Sequence, residues 1–183
     1  YLQALGMRLV SSSPDNQLKF NFFVVQDNSI NAFAMPGGVV GVHTGLILAS
    51  NSESELASVL GHEIGHVMAG HSNERLSTNQ FLQLALALGD AGTKAYGVRY
   101  QQELMAALGL GAQVGVALPF SRTHETEADV IGLELMAKAG FNPEDSVALW
   151  RNMAAAGSGG VPQFLSSHPV PENRIKKLQQ QMP

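Results

Sequence analysis

The segment His62-Glu63-Ile64-Gly65-His66 restricts this chain more than any other, because its surroundings commit it to a helix. Ser52, followed three residues later by Glu55, forms a capping box ahead of an apolar-periodic run, which predicts a helix from near Glu53 to about Gly70. Each helical residue advances by about 100°, so His62 and His66 stand on one face a turn apart, with Glu63 beside them. Two imidazoles at that spacing can grip one ion, and a glutamate next to them is placed to deprotonate water at the metal. The chain has no cysteine. Any transition metal must therefore be held by histidine and carboxylate, which points to one zinc ion per chain.

A catalytic zinc takes three protein ligands and keeps its fourth position open. Proteases that draw the third ligand from the same motif place a glycine three residues, and a histidine six residues, after the second histidine. Here Gly70 and His71 fall at four and five. His71 would also lie about 140° round the helix from His66, which reads as a polar surface or helix-end position. A carboxylate on a later helix remains, and the run Ser121-Arg122-Thr123-His124-Glu125-Thr126-Glu127-Ala128-Asp129 offers it. Glu125 and Asp129 share a face, whereas Glu127 points about 160° away from Glu125, so both glutamates cannot serve one ion. Glu125 is the better ligand, because Asp129, one turn on, can then accept the proton on the outer nitrogen of a zinc-bound histidine. Without its partner motif, this acidic cluster would read as a solvated helix face.

Around these two helices the punctuation of the sequence sets the other elements. Residues 1 to 13 read as a helix with Leu2, Leu5, Leu9 and Val10 on one face, ended by Ser11 to Asn16. Leu18 to Gln26 is rich in Phe and Val and reads as a strand. Ile30 to Met35 and Val39 to Thr44 read as two strands of a hairpin joined by Pro36-Gly37-Gly38. Residues 74 to 88 and 100 to 118 look helical, with a loop from Gly89 to Gly97. A helix follows from Ser121 to Lys138, ended by Gly140, and Asn142-Pro143 starts another to about Ala156. Gly157-Ser158-Gly159-Gly160 is a flexible loop, and Pro171 opens a short terminal helix. His43 and His124 read as ordinary structural histidines, and Trp150 with Val147 as core.

A chain of 183 residues, 45% hydrophobic and 14% charged, has material for one core and is read as a single domain over 1–183. The net charge is -4 and the basic residues are scattered, which argues against a nucleic-acid partner. Met105 to Phe120, the longest apolar stretch, contains three glycines and falls short of the roughly 20 residues that span a bilayer. It reads as a core helix, the other reading being a peripheral contact with a membrane surface. The start at Tyr1, with neither an initiator Met nor a secretory pattern, reads as a mature or trimmed chain.

The HEIGH segment, the later Ser121, Arg122, Glu125 and Asp129, Asn31-Ala32-Phe33 and His168-Pro169 together resemble the HtpX-like and CAAX prenyl protease-like gluzincins. Within that group it resembles the soluble bacterial BepA and LoiP types, and the likeness runs from about Gly6 to Arg174. It implies zinc ligation by His62, His66 and Glu125, with Glu63 as catalytic base. It implies an α+β zincin-like fold, a small twisted sheet against a mainly helical domain that carries the HExxH helix. It further implies an endopeptidase for unfolded or misassembled polypeptides of the cell envelope or periplasm. The membrane-embedded relatives carry transmembrane helices around this core, and this sequence shows none.

Three further features bear on how such a site would work. Asn31-Ala32-Phe33 should lie at a sheet edge beside the metal helix, where a strand can bind an extended peptide through its main chain. His168, followed by Pro169, Pro171 and Arg174, could approach the metal as a fourth ligand and gate the site. Arg174 could stabilise the charge that develops on the scissile carbonyl. Two alternatives to an open protease stand beside this reading: a chaperone-like module that grips unfolded chains around a structural metal, and a latent enzyme with a gated zinc site.

Overall fold

The computed structural model describes residues 1–13, 17–75, 77, 121–156, 163–168 and 174–182. The chain divides into two compact units, Tyr1–Ser72 with Pro119–Pro183, and Asn73–Leu118. The first unit carries the sheet and the helix that bears the HEIGH segment. The expected helix at 74 to 88 is described only at residues 74, 75 and 77, which are helical. The rest of it, the expected helix at 100 to 118, the loop between them, the apolar stretch Met105 to Phe120 and the loop Gly157 to Gly160 lie outside the described residues. Among those described, no helix is long and apolar enough to cross a membrane.

The elements in order are α1 (Leu2–Ser11), β1 (Asn21–Val25), β2 (Ala32–Met35), β3 (Val39–His43), α2 (Thr44–Ala49), α3 (Glu53–Met68), α4 (Arg122–Lys138), α5 (Glu144–Ala156), α6 (Gln163–Ser167) and α7 (Arg174–Gln181). The fold is α+β and mainly helical. Among the described residues, three strands form one mixed sheet in the order β1-β3-β2. β2 and β3 are the expected hairpin, with Phe33 opposite Gly41 and Met35 opposite Val39. β1 runs parallel to β3, pairing Asn21 with Val39 and Val25 with His43. Two short helices, α2 and α6, have no counterpart in the sequence reading. Each is shorter than two turns, too brief to show a helical period.

α3 begins at the expected Ser52 cap, with Glu55 reaching one residue past it to Asn51. Ser52 Oγ accepts from the Glu55 N–H at 3.1 Å, and Glu55 Oε2 accepts from the Asn51 N–H at 2.8 Å. From Glu55 to His66 every residue of α3 is buried. Its apolar side chains Leu56, Leu60 and Ile64 join Leu5 and Leu9 of α1, Val40 and Val42 of β3 and Leu133 and Met136 of α4 in one core. A fully buried side chain such as Leu60 or Ile64 contributes about 1.5–3 kcal/mol. The metal-type motif is thus carried on the central helix of the unit.

Close approach of α3 and α4 depends on missing side chains. A Cβ at Gly65 would sit 2.7 Å from the Ala128 carbonyl oxygen, and one at Gly132 would sit 2.9 Å from the His62 nitrogen. The two backbones therefore touch, and α4 can deliver short carboxylate side chains directly to the histidines of α3.

Candidate active site

α4 starts at Ser121, whose Oγ accepts from the His124 N–H at 3.2 Å, and this cap sets the rotation of the helix. Glu125 and Asp129 then face α3, as their one-turn spacing requires. His62, His66, Glu125 and His168 each bring one candidate ligand atom to within 4.8 Å of the others, and all four are buried. His62 Nε2 and His66 Nε2 lie 3.1 Å apart. Glu125 Oε1 is 3.2 Å from His66 Nε2 and its Oε2 is 3.4 Å from His62 Nε2. His168 Nδ1 completes the group, 2.9 Å from Glu125 Oε1 and 3.2 Å from His62 Nε2.

A layer of charged groups lies behind the cluster. His62 Nδ1 donates to Asp129 Oδ1 at 3.0 Å. The Arg174 guanidinium clasps Asp129 through Nε and Nη2, both at 2.7 Å, and reaches Glu125 Oε2 through Nη1 at 2.8 Å. Its cationic carbon lies 4.0 Å over the ring of Trp150, which shields the pair from water. The three guanidinium nitrogens are thus all turned toward the two carboxylates, so contact with a substrate oxyanion requires part of this pairing to open.

The same packing sets the protonation of the site. Burial works against charge on both histidines of the motif. At His62 the negative charge of Glu125 and the hydrogen bond to Asp129 outweigh it and hold the ring's pKa up to about 9. At His66 burial prevails, and the pKa falls to about 3. Glu125 is held well below the usual carboxylate range: desolvation opposes this, but the His62 charge and the hydrogen bonds from His168, His62 and His66 prevail. Glu63 behaves oppositely. Burial raises its pKa, and neither of its oxygens has a hydrogen-bond partner although the residue is 1% exposed.

These features suit a metal ion. Three imidazoles and one carboxylate meet at a single point, where their lone pairs would repel unless a cation or shared protons lay among them. A buried carboxylate that makes no hydrogen bond, with His168 Nε2 at 3.4 Å, stands beside that point, as a proton acceptor for substrate chemistry would.

Two residues that the sequence reading leaves outside the site belong to it. His71 is 2% exposed and not a surface residue: its Nδ1 lies 3.0 Å from His66 Nδ1. Helical geometry stops applying at Gly70, whose φ of 76° ends the helix and turns the chain, so that His71 comes under His66. Glu127 does point away from the ligand cluster, and there it meets His71 Nε2 at 3.3 Å. The positions of Gly70 and His71 exclude the three-histidine pattern, and they are also the signal that could have revealed this arrangement. His124 stacks on His71, ring centroids 4.1 Å apart. His43 and Trp150 are buried, as expected of structural residues.

The substrate-strand candidates lie on the β2 edge of the sheet. The His43 N–H donates to the Asn31 carbonyl at 3.0 Å, so by the alternation of antiparallel pairs Asn31, Phe33 and Met35 turn their peptide groups toward β3. Ala32 and Ala34 turn theirs outward, and the Ala34 carbonyl accepts from Ser72 Oγ at 3.2 Å. Asn31 Oδ1 is buried without a hydrogen-bond partner.

Comparison with known proteins agrees with this geometry. The family model for peptidase family M48 matches residues 1–182. The chain belongs to peptidase family M48. It is 36% identical to the mitochondrial metalloendopeptidase OMA1 of Schizosaccharomyces pombe, over 100% of this chain and 52% of that protein. It is 35% identical to the beta-barrel assembly-enhancing protease of Escherichia coli K12, over 96% of this chain and 37% of that protein. The putative beta-barrel assembly-enhancing protease of Vibrio cholerae is 35% identical over the same shares, 96% and 37%. The chain thus spans between about a third and a half of the length of these relatives. In this member of the family, the cluster of His62, His66, Glu125 and His168 is where a metal would fit.

Proposed function

We propose that this M48 chain is a zinc-dependent endopeptidase that hydrolyses peptide bonds of unfolded or misassembled cell-envelope proteins, with residues 1–183 acting as one catalytic domain. One observation carries the reading: a buried Glu63 that makes no hydrogen bond stands beside converging nitrogens of His62 and His66 and the Glu125 carboxylate. His62, His66 and Glu125 would hold the zinc, a set with two imidazoles and one carboxylate that leaves a position for chemistry. The bound ion supplies Lewis acidity toward a peptide carbonyl and lowers the pKa of water. Glu63, its pKa raised by burial, takes the proton of the attacking water and returns it to the leaving amine. Asp129 fixes the His62 ring through Nδ1, and Arg174 holds Asp129 and Glu125 in register. An oxyanion role for Arg174 belongs to a state in which it has released one of these carboxylates.

An extended substrate would pair with the outer edge of β2, where Ala32 presents its peptide groups and Ala34 its N–H. Main-chain pairing of this kind tolerates many sequences, which suits unfolded substrates. The names of the bacterial relatives connect those proteins with β-barrel assembly, and envelope location is carried over from them.

A second reading concerns regulation. His168 lies within the ligand group and beside Glu63, packed on Phe164 with ring centroids 4.5 Å apart. Holding that place, it would act as a fourth ligand and keep the enzyme latent.

Hydrolysis of an unfolded casein substrate tests the main reading. The chain should cleave it when loaded with zinc, and Glu63→Gln should bind zinc normally while losing about 10²–10⁴-fold or more in kcat. Undiminished turnover by the variant would sink the assignment.

A further inference from the structure

We infer that His71 and Glu127 form a hydrogen-bond relay that fixes the tautomer and ring orientation of His66, making both positioning residues for the metal site. The inference rests on the reading of His66 as a zinc ligand. Each motif histidine has a partner on its outer nitrogen. For His62 it is the Asp129 carboxylate. For His66 it is another imidazole, His71, at 3.0 Å. Two imidazoles can share one hydrogen bond in either direction, so this contact alone leaves the His66 proton undefined.

Glu127 removes that ambiguity. A carboxylate accepts, so the 3.3 Å contact between His71 Nε2 and Glu127 Oε2 places the proton of His71 on Nε2. A neutral His71 then presents a bare Nδ1 and can only accept there. With a metal taking the lone pair of His66 Nε2, the atom that otherwise shares a proton with Glu125, His66 donates from Nδ1 to this acceptor. The opposite tautomers would set a bare His71 Nε2 against the carboxylate and point the His66 proton into the metal position.

The surroundings keep the relay in place. His71 is 2% exposed and its ring is stacked on His124 with an interplanar angle of 19°. Gly70, with its positive φ, holds the turn that carries His71 back under His66. The Glu127 side chain is 55% exposed, so water can replace its acceptor. Its removal should therefore matter little, whereas reversal of its hydrogen-bonding sense should matter more.

Zinc affinity, measured by competition with a chromophoric chelator at pH 7.5, tests the relay on the zinc-free chain and its variants. His71→Phe deletes the acceptor and should weaken zinc binding about 10–100-fold, while His71→Asn, whose Oδ1 takes the place of Nδ1, should stay within about threefold of the parent chain. Glu127→Gln retains an acceptor oxygen and should also stay within about threefold. Glu127→Lys, a surface change that leaves the fold intact, puts a donor against His71 Nε2 and should lose about tenfold or more. Circular dichroism of each zinc-free variant checks folding. Glu127→Lys binding zinc as tightly as the parent, or His71→Phe as tightly as His71→Asn, would overturn the relay. A parent chain that binds no zinc would overturn the metal reading itself, and the relay with it.

Discussion

His168 Nε2 lies 3.4 Å from Glu63 Oε1, while the same ring meets Glu125 Oε1 through Nδ1 at 2.9 Å. One imidazole therefore bridges the proposed base and the proposed ligand, across the space where a scissile carbonyl and its attacking water must stand. His168 follows α6, outside the α3–α4 framework.

If His168 blocks the site, its removal should open it. His168→Ala is expected to raise basal cleavage of unfolded casein by roughly fivefold or more, with zinc affinity reduced because one donor is lost. A fall to background activity with zinc retained would instead assign His168 to catalysis.

The touching backbones of α3 and α4 predict a strong effect from a single methyl group. Gly65→Ala would place a Cβ 2.7 Å from the Ala128 carbonyl oxygen and push α4 outward. The cost should be about 1–3 kcal/mol, a fall in Tm of roughly 3–10 °C, together with weaker zinc binding as Glu125 and Asp129 withdraw. Unchanged zinc affinity in Gly65→Ala would show that the close contact does not set the ligand geometry.

The reach of helical periodicity decides how much of this is legible in the sequence. Within one helix, spacing alone places His62, Glu63 and His66 together, and Glu125 with Asp129. Between elements it is silent. The parallel pairing of β1 with β3 has no local signature, and Gly65 and Gly132 become informative only once their helices cross. His71 does stand at the helix end, just after Gly70, but its burial under His66 is missed when a helical wheel is extended through that glycine. Glu127 points away from Glu125, as spacing requires, and for that reason it reaches His71.

Zinc uptake should be coupled to proton release. His62, held up to about 9 by Glu125 and Asp129 against the opposing effect of burial, carries a proton at pH 7 that a metal must displace. Affinity should tighten about tenfold per pH unit from 7 toward 9, and calorimetry in buffers of different ionisation enthalpy should report one proton released near pH 7. The raised pKa stabilises the zinc-free fold fully below the unfolded value near 6.5, and that contribution fades as pH rises through about 9. A zinc affinity that is flat between pH 7 and 9 would contradict the coupling.

The β2 edge can be tested without disturbing the metal. Ala34 turns its N–H outward, so Ala34→Pro removes one outward donor while leaving the ladder to β3 intact. Loss of one main-chain hydrogen bond to substrate should raise KM about 2–10-fold with little change in kcat. An unchanged KM would place the substrate elsewhere.

Anomalous diffraction at the zinc edge from crystals of the zinc-loaded chain tests the central claim most directly. One peak is expected, with His62 Nε2, His66 Nε2 and a Glu125 oxygen about 2.0–2.2 Å from it and Glu63 outside the coordination sphere. A peak elsewhere, or one that Glu125 does not reach, would contradict the assignment of this cluster as the catalytic metal site.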